Sequence, residues 1–194
     1  MTAAPAAVPA DPDAAWLERA AAGDEPAFAQ LVDRHLPRLH ALAWRALGST
    51  AEAEEVTQET LLRAWRQLPS WQAGKALFST WLHRVALNLV NDRLRARREQ
   101  VPIEDAELVS HAPGPEREAS DTQRAARVRA ALQALPERQR DAMLLCHFEE
   151  LGNIEAAATL DVSVEALESL LSRARRALRL TLSDARTDDT HDGA

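Results

Sequence analysis

Residues 99–121, EQVPIEDAELVSHAPGPEREASD, hold three prolines, seven acids and a single arginine, and no apolar spacing runs through them. A stretch of that composition buries too little to fold by itself and reads as a flexible, solvated linker. The apolar residues are thereby divided between two blocks, 24–98 and 122–182, each expected to be a small helical domain. Both blocks repeat apolar residues at three- and four-residue steps, the spacing of one helical face. The chain has no Tyr, only three Phe and many Ala, Leu, Arg and Glu, which favours helix over sheet. The expected fold is all-α: two small helical domains joined by a flexible acidic linker. Residues 1–23 are expected to be a flexible N-terminal segment and 183–194 a disordered tail.

In the first block, Phe28, Leu31, Val32, His35, Leu39, Leu42, Ala43 and Ala46 lie on one helical face. Gly48-Ser49-Thr50 ends that helix and caps the next. The next helix runs from Glu52 to Leu68, with Val56, Leu61, Ala64, Trp65 and Leu68 inward and Glu54, Glu55, Gln58 and Glu59 outward. Pro69 to Lys75 is a loop by its Pro, Ser and Gly. Ser79 or Thr80 then caps a long helix through Trp81, Leu82, Val85, Ala86 and Leu89 into Arg93, Arg95, Arg97 and Arg98. In the second block, Ala125, Val128, Leu132 and Leu135 share a face, and Pro136 starts a new helix where its missing N–H is not needed. Two helices, 154–160 and 164–180, follow the apolar run 143–148. The short link Asp161-Val162-Ser163 between them has helix-turn-helix spacing, with Ser163 as N-cap.

The net charge of −7 speaks at first against a nucleic-acid partner. Its distribution reverses this, because residues 24–98 sum to +3 and 122–182 to +1, while the linker alone carries −6. Local sign governs contact with phosphates. The N-terminus lacks the basic segment and apolar run of a secretory signal, and no stretch has the roughly 18 apolar residues of a spanning helix. The expected setting is cytoplasmic. A single cysteine, Cys146, excludes an intramolecular disulfide framework and any cysteine-rich metal site.

Enzyme motifs are missing: no phosphate-binding glycine loop, no Gly-x-Ser-x-Gly elbow, no metal-spaced His/Cys pair. No cofactor or metal is expected. Cys146-His147 are helical neighbours that point apart, so ordinary packing is the expectation, with a redox or metal-sensing role as the rival. Arg173, Arg175, Arg176 and Arg179 on the second helix of the turn can reach phosphates or base edges from a major groove, or else form a solvated face. Trp65, Trp71 and Trp81 surround the Pro69–Lys75 loop beside an arginine-rich helix end. Aromatic planes next to cations suit unstacked bases. Trp65 and Trp81 fall on regular apolar faces and read as core, whereas loop-borne Trp71 is expected to be exposed.

The segments AEEVTQETLLRAWRQLPSW, ending at residue 71, and FSTWLHRVALNLVNDRLRARR, 78–98, resemble region 2 of bacterial RNA polymerase sigma factors. The segment LPERQRDAMLLCHFEELGNIEAAATLDVSVEALESLLSRARRAL, 135–178, resembles region 4. With no region 3 between them, the resemblance is to the extracytoplasmic-function (ECF) type, a transcription initiation factor. It implies promoter recognition and DNA melting for a stress- or signal-responsive gene set, with core polymerase, promoter DNA and an anti-sigma factor as partners. By resemblance, Glu54, Glu55, Gln58 and Glu59 would bind the polymerase β′ clamp. Trp71, His83, Val85 and Asn88 would shape the pocket for a flipped base of the −10 element. Arg93, Arg95, Arg97 and Arg98 would hold adjacent phosphates. Glu168, Ser169, Ser172, Arg173 and Arg176 would face the −35 element. The linker would lie in a basic path inside the polymerase. GNIEAAATLD departs from the family's commoner pattern, and Glu168 stands where an arginine is frequent. That carboxylate can accept from a cytosine amino group or pair with Arg173, Arg175 or Arg176. The rival to the whole reading is a stand-alone helix-turn-helix regulator, which leaves the polar 54–59 face without a task.

Overall fold

A computed structural model describes residues 10–100 and 116–188, with side chains at 10–99 and 123–183. Eight α-helices occur in that range, and there is no strand among the described residues: α1 (Ala14–Ala21), α2 (Glu25–Leu47), α3 (Thr50–Gln67), α4 (Phe78–Gln100), α5 (Glu116–Ala134), α6 (Glu137–Met143), α7 (Asn153–Leu160) and α8 (Val164–Asp188). A 3-10 turn, Leu68–Ser70, follows α3, and a π-helical turn, Leu144–Phe148, follows α6.

Local chemistry explains most boundaries. Asp24 accepts from the Ala27 amide at 3.1 Å and Pro26 occupies the first turn of α2. Gly48, at φ +72°, ends α2 in the left-handed region. Ser49 accepts from the Glu52 amide to start α3, and Ser163 from the Ala166 amide to start α8. Asp161 takes the left-handed conformation at the end of α7, φ +54°, one that Asp tolerates better than most residues. The three-residue link to α8 therefore folds as expected.

The N-terminal segment departs from expectation. Residues 14–21 are helical because Asp13, buried at the base of α1, is held by His35 Nε2 at 2.6 Å and Arg34 Nη1 at 2.8 Å. Burial raises the affinity of that carboxyl for a proton, but the hydrogen bonds and charges of His35 and Arg34 outweigh it and hold Asp13 below its usual range. Asp11 reaches further and accepts from the Phe78 amide at 2.7 Å. A carboxylate 67 residues upstream thus meets the first turn of α4, where Ser79 or Thr80 was the expected cap. The expected linker ends are also helical, since α4 runs to Gln100 and α5 starts at Glu116. At the other end, α8 runs to Asp188 into the expected tail. Residues 101–115 and 189–194 lie outside the described range.

The two helical domains are α1–α4 and α5–α8. Their apolar interiors do not stay apart: Leu42, Leu82 and Val90 join Leu135, Leu144, Leu145 and Leu167 in one buried cluster. Helix α2 packs on α5 and the π turn, and α4 packs on α7. The two domains share this cluster because α2 and α4 each carry a second apolar face that the other domain covers.

Candidate functional site

Three surfaces follow from how these helices turn. Helix α3 points Ala53, Val56, Thr57, Thr60 and Ala64 inward, and the two threonine hydroxyls are satisfied by the carbonyls of Ala53 and Val56, each at 2.7 Å. Small inward residues let α2 approach closely, and the opposite side faces solvent. There Glu54, Glu55 and Gln58 are exposed and Glu59 half-buried. Glu55 accepts from Arg93 Nη2 at 3.2 Å and Glu59 from Arg63 Nε at 2.7 Å. Leu62 and Trp65, four and seven residues beyond Gln58, extend this face with apolar surface, being 42% and 36% exposed. Trp65 was expected inside. It follows inward Ala64 by one residue, turns outward and tilts against Phe28 at 4.8 Å.

The second surface is one side of α4 with the loop before it. Trp81, Val85 and Asn88 recur at i, i+4 and i+7 and share a face. Asn88 is exposed, while Trp81 and Val85 are half-buried. Trp71, expected exposed, is also half-buried: it packs edge-on against Phe78 at 5.3 Å and Trp81 at 6.1 Å, while Phe78 stacks with Trp81. The i, i+4, i+7 spacing was the signal that could have added Trp81 to this surface. His83 stands apart. It lies about 200° around the helix from Val85, is buried, and has its Nε2 3.9 Å from Glu149 Oε2 of the second domain. Each expected phosphate-holding arginine has an acceptor within the chain: Arg93 on Glu55, Arg95 on Asp92, Arg97 on Glu52 and the Leu47 carbonyl, and Arg98 on the Gln133 carbonyl. Arg97 is thereby tied to the α2–α3 junction, whereas Arg95 and Arg98 remain exposed.

The third surface is the outer side of α8. Leu167, Leu171 and Ala174 are buried beneath it, which leaves Glu168, Ser169, Ser172, Arg173 and Arg176 exposed. Glu168 pairs with none of the arginines considered from sequence. Its Oε1 accepts from Asn153 Nδ2 of α7 at 3.4 Å, so the two helices of the turn share a polar contact. Cys146 is half-buried; burial pushes its thiol up, against the pull of Arg175. That direction disfavours a reactive thiolate. No cluster of three His, Cys, Asp or Glu able to hold a metal occurs among the described residues. None of the described helices is long and apolar enough to cross a membrane.

Two family models match the chain: Sigma-70 region 2 over residues 31–100 and Sigma-70 region 4 over 125–178. The RNA polymerase sigma factor NccH of Alcaligenes xylosoxydans xylosoxydans is 38% identical over 180 residues, covering 89% of this chain and 96% of NccH. The ECF RNA polymerase sigma factor SigE of Mycolicibacterium smegmatis is 37% identical over 166 residues, 82% of this chain and 64% of that longer protein. A solved structure of CnrH in complex with the cytosolic domain of CnrY aligns with TM-score 0.69 and 29% identity, covering 90% of this chain and 99% of CnrH. Matched over both helical domains, in the same order, the chain belongs to the sigma-70 family and is an RNA polymerase sigma factor of the ECF type.

Proposed function

We propose that this sigma factor binds core RNA polymerase through the outer face of α3, reads the −35 element with α8, and captures a melted −10 base beside Trp71, Trp81, Val85 and Asn88. The observation that carries the reading is the α3 face: Glu54, Glu55 and Gln58 stand exposed next to uncovered Leu62 and Trp65. Charged groups around exposed apolar side chains form a docking surface rather than a solvated flank. The α8 face supports the second role, with serine hydroxyls and guanidiniums that can reach base edges and phosphates. Arg95 and Arg98, exposed further along α4, would hold phosphates after exchanging their internal acceptors.

The protein works in the cytoplasm on a signal-responsive promoter set and is restrained by an anti-sigma factor. The partner-bound state of CnrH supports a protein antagonist. Reconstituted holoenzyme and sequencing of its transcripts test the reading. Transcript starts should cluster downstream of a shared pair of promoter elements. A chain that does not compete for core polymerase, yet binds duplex DNA alone, would be a stand-alone regulator instead.

A further inference from the structure

Helix α4 begins without a cap from its own neighbourhood. Leu77, whose carbonyl accepts from the Trp81 amide at 3.1 Å, stands at the N-cap position and has no side-chain acceptor for the amides of the first turn. Asp11 fills that place from before α1. Its Oδ2 accepts from the Phe78 amide at 2.7 Å, and its Oδ1 from the Asp13 amide at 2.9 Å. Asp13 continues the circuit, since its carboxylate holds His35 Nε2 at 2.6 Å and the His35 ring meets the Phe78 ring edge-on at 5.7 Å. Phe78, 1% exposed, is therefore gripped twice by one N-terminal turn: at its amide by Asp11, and at its ring through His35.

The same Phe78 ring supports the aromatic part of the proposed −10 surface. Trp71 stands edge-on to it at 5.3 Å, Trp81 stacks on it at 6.3 Å, and Trp71 and Trp81 meet edge-on at 6.1 Å. The loop between Trp71 and Phe78 is pinned at one end by the Trp71 amide on the Leu68 carbonyl at 3.0 Å, and at the other by Phe78 on Asp11. A flipped base needs its stacking planes fixed before it arrives, because binding energy spent on ordering them is lost to recognition. We infer that Asp11 is a positioning residue for base capture: its hold on the Phe78 amide sets how Trp71 and Trp81 stand to each other, and with that the preference of the pocket for a base over an empty site. The inference rests on the proposed capture of a melted −10 base at this surface. Asp11 acts through Phe78, not by contact with the strand.

The test uses holoenzyme reconstituted from core polymerase and the full chain. The probe is a fluorescent single-stranded non-template −10 oligonucleotide from a promoter that the holoenzyme transcribes, with a set of copies that each carry one abasic position. The largest ratio of intact to abasic affinity marks the captured base. Asp11→Ala leaves the buried Phe78 amide without its acceptor and should lower that ratio about tenfold, whereas Asp11→Asn, which keeps an acceptor oxygen, should hold it within about twofold. Competition for core polymerase should be the same with either substitution as without. In the free chain, hydrogen exchange at residues 72–80 should quicken about tenfold in Asp11→Ala and stay unchanged in α3 and α8. An undiminished ratio in Asp11→Ala, an equal loss in Asp11→Asn, or faster exchange spread over α3 and α8 overturns the inference. Asn88→Ala separates it from the reading beneath it. A ratio lowered by Asn88→Ala and not by Asp11→Ala refutes the positioning role alone, while an unsubstituted chain with no abasic effect at any position refutes base capture and the inference together.

Discussion

Asp141 shows how one carboxyl can bias this fold. Burial pushes it up to about 6, against the opposing pull of the Asn91 amide and the Arg140 charge. Its folded value therefore exceeds its unfolded value near 4. The folded state takes up a proton that the unfolded state does not, so stability grows as pH falls from about 7 through 6 and levels off below about 4. Asp141→Asn keeps an acceptor for Asn91 and removes the titration. Urea unfolding at pH 7.5 and 5 should show a gain on acidification that the variant lacks; equal gains in both would exclude Asp141 as its source. Glu168 is the residue where chemistry replaces family analogy. Steadied by Asn153, its carboxylate can accept from a cytosine amino group, a contact worth about 1–3 kcal/mol of discrimination. Selection from a randomised −35 element should then show Glu168→Gln and Glu168→Arg changing preference at one or two adjacent base pairs. A uniform change in affinity would reduce its role to general repulsion of phosphate. Neither environment is written locally in the chain. Asp141 is buried only because α4 brings Asn91 to it, and Asn153 meets Glu168 only through the geometry of the turn.

Helix α3 combines what sequence shows well with what it shows poorly. Inward Val56 and Ala64, the Ser49 cap and the polar 54–59 face follow from spacing and cap chemistry, whereas apolar periodicity passes over the inward threonines Thr57 and Thr60. The outward turn of Trp65 did not, because periodicity alone cannot tell a buried tryptophan from one kept at the surface beside Phe28. Reversing charge at both Glu55 and Glu59 should abolish competition for core polymerase while circular dichroism stays unchanged, since their partners Arg93 and Arg63 form exposed pairs that add little to folding. Undiminished competition by that double variant would remove the clamp assignment. On α4, Asn88→Ala is the cleaner probe of base capture, because Asn88 is exposed and Trp71 supports an aromatic cluster. Permanganate reactivity at the −10 element should fall for both Asn88→Ala and Trp71→Ala, with thermal stability falling only for Trp71→Ala. Normal reactivity in Asn88→Ala would mean that this face does not hold the melted strand. The Asp11 contact at the start of α4 has no local signature, since the acceptor lies 67 residues away.

Two domains in order, each with its helices, could be read from the acidic interruption and the apolar periods. Their docking could not, because it depends on second faces of α2 and α4 that resemble ordinary amphipathic helices until a partner is placed on them. The interrupting segment offers a test of the assembled molecule. Seven acids against one arginine disfavour contact with DNA and suit a basic path within polymerase. Neutralising them should change the ratio of abortive to full-length transcripts while leaving promoter affinity nearly constant. An unchanged ratio would mark the segment as a passive tether.

Burial of Glu149 against Arg38, Arg45 and His83 also sets an order of events on the ribosome. Helices α1 to α4 can pack once residue 100 has emerged, and Glu149 is added about 50 residues later, a delay of a few seconds at about 5–20 residues per second. For that interval Arg38, Arg45 and His83 have no partner domain above them. Every newly made chain therefore passes through an interval in which α2 and α4 still present the faces that the second domain later covers.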